Sequence, residues 1–450
     1  MSQRNRRRLP GLACSIASAL VLSAGPSGPA AAQSVYELYE IARGYDASYL
    51  AAKAQVEAAQ YKAAQADGLA RPTLSLTSKL VGTQVDLPQN RSGDNNAWQN
   101  ALNGRMPLFN RVNTATIAQA EQGLAAANAE FEVAEQDLVV RVAQAYFDVL
   151  AAKDTAQLTR VQRAAFLEQL ASAKRSFEVG TATITDTREA QAKADLAQAQ
   201  EIAADIDLRN KRIALGVLVG RRDVEPWPLA TPVKLPTIAP LNVEEWVNIA
   251  LTGHPQVLRA RAALETANLE VDKNRAGLLP TVDAVASFGV NQASGGSTAI
   301  VPGTTKIASA GVELNWAIYT GEIVQNKIKE ALALQERSRN EYDNARRTVG
   351  QNTRVAFNTV QSGQALVSAL EVAEASSKLS LEATQLGYKV GVRVNIDVLN
   401  AQTQLFQTQR DLFKSRYDVL VGGLRLRQAS GQLTPDDLAS VNRMLAPAPH

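Results

Sequence analysis

The sequence predicts a membrane α+β protein in which long coiled-coil helices alternate with two β-hairpins, the whole pattern written twice. Three observations predict it. The 450 residues are 46% hydrophobic but only 5% aromatic, and mean hydropathy is slightly negative. Such a mixture suits long helices better than a mixed globular core. The segments "FEVGTATITDTREAQ" from Phe177 and "YKVGVRVNIDVLNAQ" from Tyr388 share Val, Gly, Asp, Ala and Gln in register, 211 positions apart. Finally, four stretches alternate apolar and polar residues with the period of a strand.

Residues 1–32 read as a secretory signal peptide. "RNRRR" supplies the basic start, "LPGLACSIASALVLSAG" the apolar stretch, and Ala30 to Ala32 the small residues before a cut ahead of Gln33. Cys14, the only cysteine, lies in this segment. Gly11 stands where a lipoprotein box wants Leu, so the mature chain is expected to be unlipidated and free of disulfides. Four arginines leave with the signal, taking the formal charge from +3 to −1. That balance gives no argument for nucleic acid as a partner. No later segment offers the roughly 20 apolar residues of a spanning helix.

Two structural repeats follow, 33–222 and 246–430. Each begins with a helix of about 30 residues ending in a Gly/Pro signal, "DGLARPTLSL" or "AGLLPTVDAV". A β-hairpin comes next, at about 72–108 and about 280–318, each with a Gly/Ser/Asn-rich loop. Then comes a very long helix, about 112–178 and about 322–389, and after the "VG" break another, about 185–219 and about 396–430. Pro72 answers Pro280, Phe109 answers Tyr319 and Asp186 answers Asp397, at nearly constant offset, as a duplication requires. A Pro-rich segment at 223–245 separates the repeats, and 431–450 forms a C-terminal tail.

About 67 helical residues span ~100 Å, too long for a compact domain. Their apolar residues step by four and three: Leu138, Val142, Ala145, Val149, Ala152, and later Val349, Thr353, Ala356, Val360, Gly363, Val367, Leu370. This is the seam of a coiled coil. The strands carry a different signal. Val282, Ala284, Ala286, Phe288 and Val290 share one face, and Ala308, Ala310, Val312, Leu314, Trp316 and Ile318 another. Leu74, Leu76 and Leu80, then Trp98, Leu102, Met106 and Leu108, form noisier versions. One apolar face ending in aromatics suits a barrel strand with lipid outside and water inside. Two hairpins cannot close a barrel, whose usual minimum is about eight strands. Several chains must therefore contribute; three would give twelve strands.

With these residues in place, the chain resembles the TolC family of trimeric outer-membrane efflux and secretion ducts, in its unlipidated branch. The carriers are the duplicated element order, the strand ends at Pro107 to Asn110 and Ile318 to Gly321, and above all "GYKVGVRVNIDVLNAQTQL" at Gly387 to Leu405. The resemblance implies a 12-stranded outer-membrane barrel, four strands per chain, continuous with a periplasmic α-barrel of 12 helices. It places the Pro-rich segment and the C-terminal tail in a belt at mid-length.

The resemblance also implies roles for individual residues. Asp397 matches the acid that rings the narrow periplasmic entrance. Asn400 stands where some members carry a second acid, so a weaker cation site is expected. Tyr388 and Arg393 match residues that tether the closed tip, to Asp186 and Thr185 respectively. Val179, Gly180, Val390 and Gly391 form the helix turns on which a periplasmic adaptor would dock. An inner-membrane transporter of the ABC or RND type completes the expected assembly, together with a homotrimer of this chain and outer-membrane lipid. Read without the resemblance, Asp186 and Asp397 are acids in the first turn of a helix, favoured by its dipole and by capping. Gly180 and Gly391 are ordinary helix C-terminal glycines.

Two other readings compete. An enzyme would need chemistry that is missing: two histidines, His254 and His450, no cysteine after the signal, and no GxSxG, P-loop or GxGxxG. No cofactor or metal site is expected, and three methionines make no metal path. The stronger rival is a periplasmic or surface coiled-coil protein without a pore.

Overall fold

The computed structural model describes residues 33–86, 93–230, 232–233, 235–295 and 302–446. The expected signal peptide, the centres of both hairpin loops and the last four residues lie outside the described residues. In chain order the first repeat comprises α1 (Val35–Arg43), α2 (Ala47–Asp67), β1 (Thr73–Val85), β2 (Gly93–Phe109), α3 (Arg111–Glu178) and α4 (Ile184–Val219). The second comprises α5 (Val243–Gly253), α6 (Pro255–Ala276), β3 (Thr281–Gly295), β4 (Gly303–Asn315), α7 (Ile323–Lys389) and α8 (Asn395–Ala429). A short α9 (Asp436–Asn442) follows.

The single opening helix expected in each repeat is broken in both. Asp46 turns out of the helix and its carboxylate accepts from the Tyr49 N–H at 2.8 Å, starting α2. His254 does the same for α6, its Nδ1 accepting from the Gln256 N–H at 3.1 Å. Pro255 disfavours a helical residue before it and fits the first helical position, so the break falls there.

The four strands form one antiparallel sheet in the order β1-β2-β3-β4. Its register decides the faces. Leu74 pairs with Gly104, Leu76 with Leu102 and Leu80 with Trp98. Across the next ladder Leu102 meets Phe288 and Met106 meets Ala284. Ala284 in turn meets Val312, and Val282 meets Leu314. The alternating residues read separately from four segments thus lie on one continuous apolar face. The other face carries Thr73, Ser75, Asn103, Arg105, Asp283 and Ser287. There Arg105 Nη2 holds the buried Asp283 carboxylate at 2.6 Å.

The strands differ from expectation at both ends. Toward the loops they run longer: Val85 still pairs with Gly93 and Ala293 with Gly303. Polar composition marks the edge of the apolar band, whereas the backbone ladder continues past it. Toward the helices β4 stops at Asn315, so Trp316 and Ile318 fall outside the strand. The last pair is Thr281 with Asn315; the next partner would be Pro280, which has no N–H to give. Trp316 instead donates its indole N–H to the Leu278 carbonyl at 3.0 Å. On β2 the register slips between Pro107 and Phe109, a bulge at the one proline in the ladder.

Both long helices are continuous, 68 and 67 residues. Most of the predicted seam is buried: Leu138, Val142, Val149 and Ala152 on α3, and Val349, Thr353, Val360 and Val367 on α7. The main core surrounds the middle of α3, where Leu138 to Leu150 is buried almost all round the helix. Against it pack α1, α8 and the two irregular segments. The Pro-rich stretch and the C-terminal stretch meet here: Ala230 N–H donates to the Met444 carbonyl, and Ala446 N–H to the Pro228 carbonyl. Tyr146 ties the Pro-rich stretch and the segment ahead of α1 to α3 by donating to the Trp227 and Gln33 carbonyls at 3.2 and 3.1 Å.

Candidate pore constriction and gate

The two helix turns named by the repeated motif have one backbone design. Val179 and Val390 close the long helices at φ −90° and −93°. Gly180 and Gly391 then take φ 79° and 82°. A Cβ on either glycine would meet nothing within 4 Å. Glycine is therefore required by the left-handed backbone and not by space. The hydrogen bonds repeat as well. Thr181 and Ala182 N–H both donate to the Ser176 carbonyl, as Val392 and Arg393 N–H do to Gly387. Apolar side chains, among them Phe177, Val179, Ile184, Val390, Val392 and Val394, remain exposed around the two turns.

The acids that follow are held differently. Thr183 Oγ1 accepts from the Asp186 N–H at 3.2 Å, and the Asp186 carboxylate accepts from the Thr183 N–H at 2.9 Å and its hydroxyl at 2.7 Å. This is a closed capping box. In the second repeat Val394 occupies the Thr183 position. Asp397 accepts only a long bond, 3.5 Å, from the Val394 N–H. Arg393 Nη1 stands 3.6 Å from the Asp397 carboxylate.

Within one chain, then, Arg393 faces Asp397 and not Thr185, which is exposed. Asp186 is engaged by Thr183 and not by Tyr388. Asn400 is exposed one turn beyond Asp397. At the tip, a side chain absent from the sequence reading bridges the repeats. Asn395, buried at the start of α8, accepts from Gln169 of α3 at 2.5 Å and donates to the Asp186 carbonyl of α4 at 3.3 Å. A polar residue at a helix start is what capping demands, so nothing in the local pattern distinguishes it. Packed nearby are Phe166, Leu170 and Ala173 of α3, Ala190, Ala194 and Ala197 of α4, and Leu399 of α8. The alanines let the helices approach closely.

The profile of the outer membrane efflux protein family matches residues 38–221 and 246–432, nearly the whole of both repeats. The chain belongs to that family. Among relatives, the alkaline protease secretion protein AprF of Pseudomonas aeruginosa is 31% identical over 80% of this chain and 74% of its own length. The outer membrane protein TolC of Vibrio cholerae is 28% identical over 91% of this chain and 93% of its own. Among solved structures, the Campylobacter jejuni CmeC outer membrane channel covers 98% of both chains with a TM-score of 0.76 at 16% identity. The open-state MtrE outer membrane channel of Neisseria gonorrhoeae covers 90% of this chain and 91% of its own with 0.75 at 20%.

The architecture is accordingly that of an outer-membrane channel extending into the periplasm, and the chain serves efflux or secretion as an exit duct. The lipid-facing sheet and the periplasmic helices are its two halves. Among the described residues no helix is long and apolar enough to cross a membrane. The sheet's continuous apolar face does that work.

Proposed function

We propose that three copies of this chain assemble into a passive duct that a periplasmic adaptor and an inner-membrane ABC or RND transporter load from below. The observation that carries the trimer is the sheet's two unpaired edges. β1 and β4 each present a free ladder beside an apolar face. In lipid no backbone edge is left unpaired, so the barrel must close with other chains. The helices have matching flanks. Leu196, Ile202, Ile206, Ile213 and Val217 are exposed along α4, and Val372, Leu379 and Leu386 along α7 at steps of seven. Two unpartnered stripes, one per repeat, fit a ring in which each chain covers the next.

In that ring Asp397 is the constriction, three carboxylates that attract cations along the axis, with Asn400 contributing no second charge. Tyr388, Arg393, Asp186 and Thr185 are the polar residues across which neighbouring helix pairs would be tied in the closed state. Opening is the untwisting of α7 and α8 at the tip. The exposed Val179, Gly180, Val390 and Gly391 turns are where the adaptor docks. The chain acts without catalysis or cofactor.

The test is single-channel recording of the purified protein in planar bilayers. A small cation-preferring conductance, blocked by a divalent cation, is expected, with block weakened about tenfold or more in Asp397→Ala when one charge per chain is lost. Unaltered block in Asp397→Ala would move the constriction elsewhere. A pore-free coiled-coil protein would give no conductance, even from Arg393→Ser.

A further inference from the structure

The gated-duct reading leaves open what holds the two helix pairs of one chain together at the tip. We propose that the side-chain amides of Gln169 and Asn395 form an intrachain latch that sets how readily α7 and α8 separate from α3 and α4. The inference rests on that reading and adds a positioning residue to it.

Asn395 is the first residue of α8 and is 1% exposed. Its Oδ1 accepts from Gln169 Nε2 on α3 at 2.5 Å, and its Nδ2 donates to the Asp186 carbonyl on α4 at 3.3 Å. One side chain of the second repeat thus holds two helices of the first, α3 and α4. Phe166, Leu170 and Leu399 make the surroundings apolar. Such a bond has no water ready to replace it, and an amide pulled away from its partner while still buried is costly.

Arg393 and Asp186 are placed differently. Arg393 has 61% of its side chain exposed and finds Asp397 four residues on. Asp186 is closed within its own turn by Thr183. Surface pairs of this kind contribute little, because water and salt compete for both partners. Within a chain, the first barrier to moving α8 is therefore the Asn395 amide. Its two bonds run to different helices, so separation breaks them together, which suits a two-state element better than a gradual slide.

The test compares wild type, Asn395→Leu, Gln169→Ala, the double variant and Arg393→Ser in planar bilayers, with circular dichroism and trimer migration as controls on folding. Asn395→Leu keeps the number and branching of side-chain heavy atoms and removes both bonds; it is expected to raise the ratio of open to closed time by about tenfold. Gln169→Ala should raise it less, since the bond to Asp186 survives. The double variant should match Asn395→Leu alone, because the shared bond is already gone. Fully additive effects, or an Asn395→Leu channel indistinguishable from wild type while Arg393→Ser opens, would overturn the latch and leave the duct standing. Silence from every protein, Arg393→Ser included, would overturn the duct and the latch with it. If Asn395→Leu does not assemble, Gln169→Ala decides alone, since Gln169 is only half-buried.

Discussion

The two repeats solve the same two local problems with different side chains. At the tip, both turns place glycine at φ near 80° and use the same backbone bonds. Yet Thr183 closes a box around Asp186, while Val394 leaves Asp397 beside Arg393. At the break before the hairpin-bearing helix, Asp46 starts α2 and His254, at the equivalent place, starts α6. Duplication fixed the backbone in both copies because backbone angles admit few residues. The side chains that satisfy those backbones were free to diverge, and Asp397 is held in its cap less fully than Asp186 is.

The largest difference between the copies should appear at the helix breaks. Asp46 both caps α2 and takes Arg141 in a two-pronged contact, at 2.8 and 3.1 Å. The Arg141 guanidinium beside it holds its carboxyl below the usual range. Asp46→Ala removes the cap and the charged bonds, and should cost about 2–4 kcal/mol. His254→Ala removes a neutral cap and should cost about 1 kcal/mol. Denaturant unfolding of the two variants checks the order; equal costs would mean that Arg141 is satisfied by Asp137 alone, which already binds it at 2.6 Å.

A smaller pair of changes would exchange the tip chemistries. Thr183→Ala opens the first box and should cost about 1 kcal/mol, read as faster amide exchange at the start of α4. Val394→Thr should complete the second box, stabilise the start of α8 by about 0.5–1 kcal/mol, and draw Asp397 away from Arg393. Slower exchange after Val394→Thr without altered cation block would separate the capping role of Asp397 from its proposed role in the pore.

How far the sequence announced all this follows from what each feature depends on. The long helices were legible because nothing interrupts them and their apolar steps repeat. The lipid face was legible because period two is a property of one strand, readable before any partner is known. The signals that broke the opening helices, Asp46 and the His254-Pro255 pair, were present but weaker than the helical pattern around them. The role of Asn395 was not legible. Its burial comes from α3 and α4 arriving on either side, and Gln169 lies 226 positions away in the chain. The end of β4 at Asn315 likewise depended on Pro280 sitting opposite, a fact about register and not about composition.

The smallest expected effect is one of acidity, and it again divides the copies. Burial lowers the His254 pKa below its ordinary value, with the Gln428 carbonyl opposing that shift. The neutral ring is the form that caps α6, since Nδ1 must accept from Gln256. Above about pH 6.5, the unfolded value, His254 is neutral in both states and contributes no pH dependence. Below it the unfolded chain binds a proton first, so stability falls with pH until the folded pKa is passed, and then levels. Asp46 behaves otherwise: its contribution is present above the unfolded value of about 3.9 and is lost only as pH falls through its lower folded pKa. Between about pH 6.5 and 4 the α5–α6 junction should therefore loosen while the α1–α2 junction holds. Amide exchange at Gln256 and Val257, compared with Ser48 and Tyr49 across that range, would register it. His254→Asn keeps a capping side chain without the titration and should abolish the difference; a difference that persists in His254→Asn would place the acid sensitivity outside the cap.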